Sequence, residues 1–372
     1  MTEYAILQVL AWVAMGAVML LFSVTGGFDL GAGTLLPFLG RNDLERRVVV
    51  NIVGPTWDGN QVWLIIIGAG MFAIWPKAYA AAFSGFYFAI LLILWALFFR
   101  PVSFEYRSKL ESPKWRCFWD WALFFGSVVP ALLFGVALGD VLMGVPFHYD
   151  VFSLRFIYTG EFYELLRPFA LVAGVMSVSL FCMHGAIYVS LRSEGVIRAR
   201  AKAALKFFAS LFLFCFLVEG VWILFIPGYS WDATTQAAGL IIGGWYAHYG
   251  DHLWMWVAPL VGVIGAILTM YFGSRESFRA AFISSCVTMA GLLASYGLIM
   301  FPFVMPSNTD PSQSLLVWNV SSSAMSLLGI LLVALVMLPI IFIYTTFVYR
   351  KLWGRSPKMS TDEVQIKVHH LY

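Results

Sequence analysis

Long apolar runs alternate with short polar segments along the whole chain. Nine of these runs are long enough to cross a bilayer, which requires about 20 mostly apolar residues. The predicted spans are residues 6–28, 50–75, 78–99, 117–142, 165–190, 204–226, 253–272, 280–304 and 325–349. The pattern therefore predicts an all-α integral membrane protein with about nine transmembrane helices.

The order of the spans predicts how they group. Four crossings return the chain to the side on which it began, so two parallel four-helix bundles and one peripheral helix would use all the spans. We expect a first bundle over residues 1–142, a second over 143–304, and a peripheral helix with a cytoplasmic tail over 305–372.

Basic residues sort sharply between the two sides. With the N-terminus outside, 20 of the 23 Lys and Arg residues fall on the cytoplasmic side, and the outer side keeps only Lys77, Arg155 and Arg167. Loops rich in Lys and Arg stay in the cytoplasm. The sorting predicts an N-terminus outside and a C-terminus in the cytoplasm.

The composition agrees with this fold class. Hydrophobic residues make up 61% of the 372 residues and charged residues 12%, whereas a soluble domain is about 45–50% apolar and about 25% charged. A soluble globular protein, a disordered chain and a nucleic-acid-binding protein are excluded.

Ionisable residues within spans are costly, so each is a candidate functional residue. They are Asp29, Asp58, Arg100, Asp120, Asp140, His184 and Glu219. Asp58 lies about ten residues into a span that enters from the cytoplasm, so about 15 Å deep, after a Gly54-Pro55 pair that should break the helix. Gln61 falls on the same helical face as Asp58 (i, i+3), and Trp57 pairs with Gln61 (i, i+4). A carboxyl at mid-depth beside a helix break suits a proton relay or an ion site, and a structural Asp bonded to another helix is the alternative.

Asp29 and Arg100 are expected at the cytoplasmic mouth, level with Glu105. An interfacial ion pair is the simpler interpretation of this group. Glu219 is expected to face another helix or subunit.

The positions of the histidines limit the haem chemistry that this chain can perform. Axial ligands to a six-coordinate haem are commonly two His or one His and one Met. Only His184 of the six histidines lies within a span, so the chain alone cannot build a bis-His haem in the membrane. His184 remains a weak metal-ligand candidate, because a single intramembrane His is more often a satisfied polar residue. Any partner would have to carry most of the metal chemistry.

Several segments resemble subunit II of the cytochrome bd ubiquinol oxidases, including their cyanide-insensitive relatives. The resemblance covers the whole chain and is most specific in the first 110 residues or so. It is carried by Gly27-Phe28-Asp29-Leu30-Gly31, Gly40-Arg41-Asn42-Asp43, Trp57-Asp58-Gly59-Asn60-Gln61-Val62-Trp63, Phe98-Phe99-Arg100-Pro101-Val102, Gly144-Val145-Pro146-Phe147, Phe301-Pro302-Phe303-Val304-Met305-Pro306-Ser307 and the terminal Leu371-Tyr372.

The resemblance implies a multi-pass subunit of a bacterial inner-membrane enzyme that oxidises ubiquinol, reduces dioxygen to water and generates proton-motive force. It implies a heterodimer with a homologous subunit I, which carries two haems b and one haem d, and small single-helix accessory subunits. No catalytic residue is then expected in this chain. Its implied roles are scaffolding, support of haem assembly, part of a cytoplasmic proton path, and an apolar surface for a structural ubiquinone.

The family's proton-path residues match Asp58, Asp29 and Arg100 of this sequence, and Trp57, Gln61 and Glu105 are expected at the subunit interface or along the path. One departure is Gly26, where many relatives carry an acid. The alternatives outside this family are a secondary transporter with Asp58 as the coupling site, and a purely structural, chaperone-like membrane subunit.

Overall fold

The computed structural model describes residues 2–150, 152, 155–232, 237–352 and 359. The terminal Leu371-Tyr372 motif and most of the predicted tail lie outside the described residues. Within the described part, eight helices are long and apolar enough to cross a membrane. They are Glu3–Leu39 (α1), Tyr87–Tyr106 (α5), Pro113–Met143 (α6), Pro168–Arg192 (α7), Gly195–Trp222 (α8), Val257–Ser274 with the 3-10 turn before it (α10), Phe278–Met300 (α11) and Ala324–Leu352 (α13). The all-α membrane fold is confirmed.

Helix α1 is longer than the predicted span 6–28. Its 37 residues reach about 55 Å, which exceeds the hydrocarbon thickness of about 30 Å. The extension keeps its helical form because almost every residue from Gly26 to Leu36 is buried against neighbouring helices. Asp29 therefore lies inside the helix, and the prediction that it ends the helix is wrong.

The predicted span 50–75 is two helices. Asp43–Val53 (α2) starts at Asn42, whose side chain caps the N–H of Glu45, and a turn over residues 54–56 follows, where Pro55 lacks a backbone N–H. Trp57–Ile74 (α3) then runs to Pro76–Gly85 (α4). The count of nine crossings stays a prediction, because α3, which carries Asp58, Asn60 and Gln61 in its first turns, is not among the eight helices that are apolar enough to cross.

Small residues let α1 and α7 approach closely. A methyl group at Gly31 would overlap the backbone carbonyl of Phe181, and one at Gly185 would lie 2.5 Å from the backbone nitrogen of Ala32. Small residues at this crossing therefore permit close helix packing.

Four helices form one packed set, and further helices join it through α7. Helices α7, α8, α10 and α11 contact one another in a ring, and α1 and α6 both pack directly on α7. Helix α13 is peripheral, touches α1 and α3, and buries only Leu327. Division into separate domains at 142/143 and 304/305 stays a prediction.

Three antiparallel hairpins and short helices cover the ends of the helices that are predicted to lie outside. The hairpins pair Phe147–Asp150 (β1) with Arg155–Tyr158 (β2), Pro227–Asp232 (β3) with Ala237–Ile242 (β4), and Phe303–Met305 (β5) with Leu315–Leu316 (β6). The short helices are Gly244–Asp251 (α9) and Val317–Val320 (α12). Tyr229 and Trp245 are fully buried in this layer.

Candidate functional site

Asp29 is at the centre of a buried polar cluster. Its side chain is 0% exposed, and the Nδ2 group of Asn60 donates a 2.6 Å hydrogen bond to Oδ2. The hydroxyl of Tyr349 donates to Oδ1 of Asn60 at 2.7 Å. The Asn60 amide therefore joins three helices, α1, α3 and α13, at one level.

Arg100 lies close to this cluster on α5 and is 1% exposed. Its Nη1 group donates to Oγ of Ser127 on α6 at 2.9 Å. It attracts Asp29 electrostatically, yet among the described residues no ion pair joins the two groups directly. Oδ1 of Asp29 and both Nε and Nη2 of Arg100 have no hydrogen-bond partner in the described part of the chain.

The expected interfacial ion pair between Asp29 and Arg100, level with Glu105, is wrong in its placement. Asp29 and Arg100 are buried inside the helix assembly, whereas Glu105 is exposed near the end of α5. Five residues separate Glu105 from Arg100, or about 7 Å along the helix. The long α1 and its buried extension account for the difference.

Asp58 and Asp29 lie at nearly the same level, since Asn60, which bonds Asp29, is two residues from Asp58. Asp58 occupies the first turn of α3, about 24 Å from Ile74 at the far end. The predicted mid-membrane depth was counted from residue 50, before the break, and it stays a prediction. Asp58 is exposed.

The two other interface candidates flank Asp58. The Trp57 ring stacks on Phe104 of α5, with centroids 5.3 Å apart and planes 15° from parallel. Gln61 is half-buried, and its Nε2 group has no hydrogen-bond partner among the described residues. Both side chains therefore border the open surface around Asp58.

A charged network fastens the predicted cytoplasmic ends of the helices. Arg107 bonds Asp120 at 2.5 Å and Asp43 at 2.9 Å, and Arg46 bonds Asp120 at 3.0 Å. Asp120, one of the ionisable residues within the predicted spans, is 2% exposed within this network. The sequence pattern used Arg46 and Arg107 only to predict which side of the membrane each loop occupies.

A separate ion pair joins α2 to α8. Arg200 bonds Glu45 at 2.6 Å. Slight burial alone would raise the pKa of Glu45, but hydrogen bonds from the Arg41 backbone and the Arg200 guanidinium hold it below its usual value. Glu45 is therefore ionised at neutral pH.

His184 has both ring nitrogens occupied. Nδ1 is 2.7 Å from Oγ of Ser285, Nε2 is 2.9 Å from the carbonyl oxygen of Val24, and the ring stacks on Phe282. The fully buried side chain has no ring nitrogen left for a metal in this arrangement. Across the described ranges, no group of three or more His, Cys, Asp or Glu side chains could hold a metal ion.

An apolar cavity of about 580 Å³ lies among α1, α6, α7, α8, α10 and α11. Glu219 of α8 lines it and is 7% exposed, with no partner for Oε1 among the described residues. The hydroxyl of Tyr246, which also lines the cavity, donates to the carbonyl oxygen of Gly220. Apolar neighbours include Met19, Phe22, Leu138, Met176, Leu180 and Val263. No residue pattern in the sequence predicted this cavity.

Fold and site together define a polytopic α-helical membrane subunit with a buried acid and base. The chain belongs to the cytochrome bd terminal oxidase subunit II family, whose model matches residues 7–352. It is therefore a multi-pass inner-membrane component of a quinol:oxygen oxidoreductase. Family membership implies haem cofactors in the complex and a subunit I partner. The resemblance noted from the sequence is confirmed, and the oxidase is favoured over the transporter.

Relatives match over the whole length. The chain is 43% identical to cytochrome bd-I ubiquinol oxidase subunit 2 of Escherichia coli K12, covering 100% of both chains. It is 40% identical to the probable cytochrome oxidase subunit 2 of Haemophilus influenzae, again over 100% of both. A chain of the bd oxidase structure from Geobacillus thermodenitrificans shares the fold, with a TM-score of 0.70 and 14% identity over 92% of this chain and 98% of that one.

Proposed function

We propose that this chain supports a haem-bearing subunit I and delivers cytoplasmic protons to it through Asp58. Asp29 and Arg100 form the buried part of the same path. In this proposal subunit I carries the two haems b and the haem d. Reduction of dioxygen to water consumes protons, and hydrocarbon does not conduct them. The observation that carries the proposal is the Asn60–Asp29 hydrogen bond. It connects α3, the helix that carries the exposed Asp58, to the buried Asp29.

The exposure of Asp58 supports a protein partner at this face. Ionisable residues in membrane spans almost always face protein or a water-filled cavity. Asp58 and Gly59 are open in this chain, and α3 buries only Asn60, Trp63 and Ile74. Subunit I covers this surface in our proposal, and Trp57, Gln61 and Glu105 border the contact or the path.

Unpartnered atoms support a hydrated connection at Asp29. Oδ1 of Asp29 and two nitrogens of Arg100 need hydrogen bonds that the described residues do not supply. Bound water satisfies such groups in buried polar sites. Arg100 balances the charge of an ionised Asp29, so that the carboxyl can change its protonation state without leaving an isolated buried charge.

The absence of an acid at Gly26 gives Asp29 the larger role in this chain. The ring of Phe22 fills the space beside Gly26, where an added Cβ would lie 2.7 Å from it. The route we propose therefore bypasses position 26 and uses Asp29 with bound water.

The experiment compares Asp58→Asn and Asp29→Asn in the purified complex, with Glu111→Gln as an exposed control acid. We expect both Asp variants to lower quinol-driven oxygen consumption while the haem absorption bands remain, because the amide cannot release a proton. The control should keep full turnover. Unchanged turnover in Asp58→Asn would reject the path, and loss of haem together with activity would indicate assembly instead.

We also propose that the apolar cavity holds a ubiquinone as a structural lipid. An enclosed apolar space suits an isoprenoid chain, and Glu219 is a polar group that can bond the head of such a ligand. Single-helix accessory subunits and support of haem assembly belong to the same proposal, as expected from the family.

Filling the cavity tests the quinone proposal. Ala137 lines the cavity, so Ala137→Trp should lower the amount of quinone that co-purifies with the complex. Ala294→Trp places the same ring on an exposed position of α11 and should leave the quinone content unchanged. Equal quinone content in both variants, measured by mass spectrometry, would contradict the assignment.

A further inference from the structure

A further buried acid lies at the predicted outer end of α6. Asp140 is 1% exposed and stands one turn before the helix ends at Met143. Neither of its carboxylate oxygens has a hydrogen-bond partner among the described residues. A buried carboxyl without hydrogen bonds is costly, so something must satisfy these two oxygens.

Two tyrosine hydroxyls near this end of α6 lack partners as well. The hydroxyl groups of Tyr158 on β2 and Tyr229 on β3 are buried without hydrogen bonds in the described part of the chain. Tyr229 is 0% exposed and packs between Trp245 and Phe303. Its hydroxyl lies against Gly144, where an added Cβ would overlap it.

Arg167 brings the positive charge to this group. It donates hydrogen bonds to the carbonyl oxygens of Glu164 at 3.2 Å and Gly144 at 3.3 Å. It interacts electrostatically with Asp140, Tyr158 and Tyr229, but no ion pair within 4.0 Å joins it to Asp140 in the described ranges. The positive charge of Arg167 therefore balances the negative charge of Asp140, although the two groups are not in contact.

We propose that Asp140, Tyr158, Tyr229 and Arg167 enclose a chamber of bound water at the outer end of α6. The ligand is neutral because Arg167 already offsets the charge of Asp140. It must both donate and accept hydrogen bonds because it faces a carboxylate, two hydroxyls and a guanidinium. Water meets both conditions, and buried waters typically make about three hydrogen bonds each.

The chamber is separate from the Asp29 cluster. Ser127, which bonds Arg100, is 13 residues before Asp140 on α6, so the two sites lie about 20 Å apart along that helix. The residues between them on the buried face of α6 are Pro130, Ala131, Leu133, Gly135, Val136 and Gly139. Water in the chamber therefore belongs to the outer side and is not part of the proposed cytoplasmic path.

Radiolytic labelling in ¹⁸O water tests the chamber, because hydroxyl radicals formed from bound water oxidise the side chains beside it. In the purified complex, Tyr229 should incorporate ¹⁸O several-fold faster than Phe212, an equally buried aromatic side chain in the apolar core. Asp140→Leu should bring the labelling of Tyr229 down towards that of Phe212. Asp251→Asn, which removes an exposed outer acid, should leave it unchanged.

Two outcomes would overturn the proposal. One is labelling of Tyr229 as slow as that of Phe212 in the unaltered complex. The other is an experimental map of the complex in which Asp140 bonds Arg167 or a tyrosine hydroxyl directly, with no solvent density between them. Should Asp140→Leu fail to assemble, the unaltered complex still decides the question through these two measurements.

Discussion

At the scale of single residues, burial separates acids that look alike in the sequence. Asp29 and Asp58 both stand in polar motifs, yet Asp29 is fully buried with one hydrogen-bond donor and Asp58 is open. Asp120, with no motif of its own, is buried between two arginines. What each carboxyl can do depends on its neighbours: Asp120 fastens helices, and Asp29 has an oxygen left for a further ligand.

Asp120→Asn tests the structural part of this distinction. The substitution leaves Arg107 buried with a weakened partner, and breaking a buried ion pair costs about 3–5 kcal/mol. We expect a clearly lower stability in detergent unfolding. Glu276→Gln removes an exposed pair with Lys202 and should change stability far less. A comparable loss in the two variants would mean that the buried network does not carry the difference.

At the scale of helices, backbone contact between α1 and α7 sets the position of the acid. Gly31 of α1 lies against the backbone of Phe181, and Gly185 of α7 lies against Gly31 and Ala32. Asp29 is two residues from this crossing, so a shift of α1 would move it away from Asn60. The glycines serve the site through packing.

Gly185→Ala should therefore disturb assembly more than its small size suggests. The added methyl group would come within 2.5 Å of the Ala32 nitrogen, and backbone atoms cannot move aside without separating the helices. We expect less assembled complex and a lower thermal stability. Gly16→Ala, at a position with nothing within 4 Å, provides the control. Equal yields for both variants would mean that the crossing tolerates separation.

At the scale of the whole molecule, the surface is uneven in its chemistry. Much of α13 and of α5 exposes apolar side chains, as expected against lipid or other membrane helices. The start of α3 differs, since it exposes Asp58 and Gly59 beside the half-buried Trp57. A polar opening on a membrane subunit is best explained by a protein that covers it.

Gly59→Trp distinguishes a partner from lipid at that opening. This chain has free space there, with nothing within 4 Å of an added Cβ, so the chain itself should still fold. We expect the new ring to collide with subunit I and reduce co-purification of the haem-bearing partner. Gly329→Trp on peripheral α13 also has free space and should co-purify normally. Full recovery of the partner with Gly59→Trp would place the interface elsewhere.

The sequence carried much of the architecture because membrane spans are a one-dimensional signal. Hydropathy located α6, α7, α10, α11 and α13 within a few residues, since each crossing must be apolar over its own length. It failed at α1, at residues 50–75, at residues 78–99, which α4 and α5 share, and at the start of α8, which begins at Gly195 and not at residue 204. Burial against other helices extended α1 through polar and glycine residues, and the turn after Val53 divided the second span.

The amino-acid sequence by itself determined the class of protein and its family, because both are recorded in apolar runs and local motifs. Only the tertiary structure decided which polar groups meet. It brought Asn60 to Asp29 and Tyr349 to Asn60, gave His184 two partners, and left Asp140 and Glu219 buried with oxygens unpaired among the described residues. The physical reason is that hydrogen bonds between helices join residues far apart in the sequence, such as Asn60 and Tyr349, which are 289 positions apart, and no local pattern specifies such contacts.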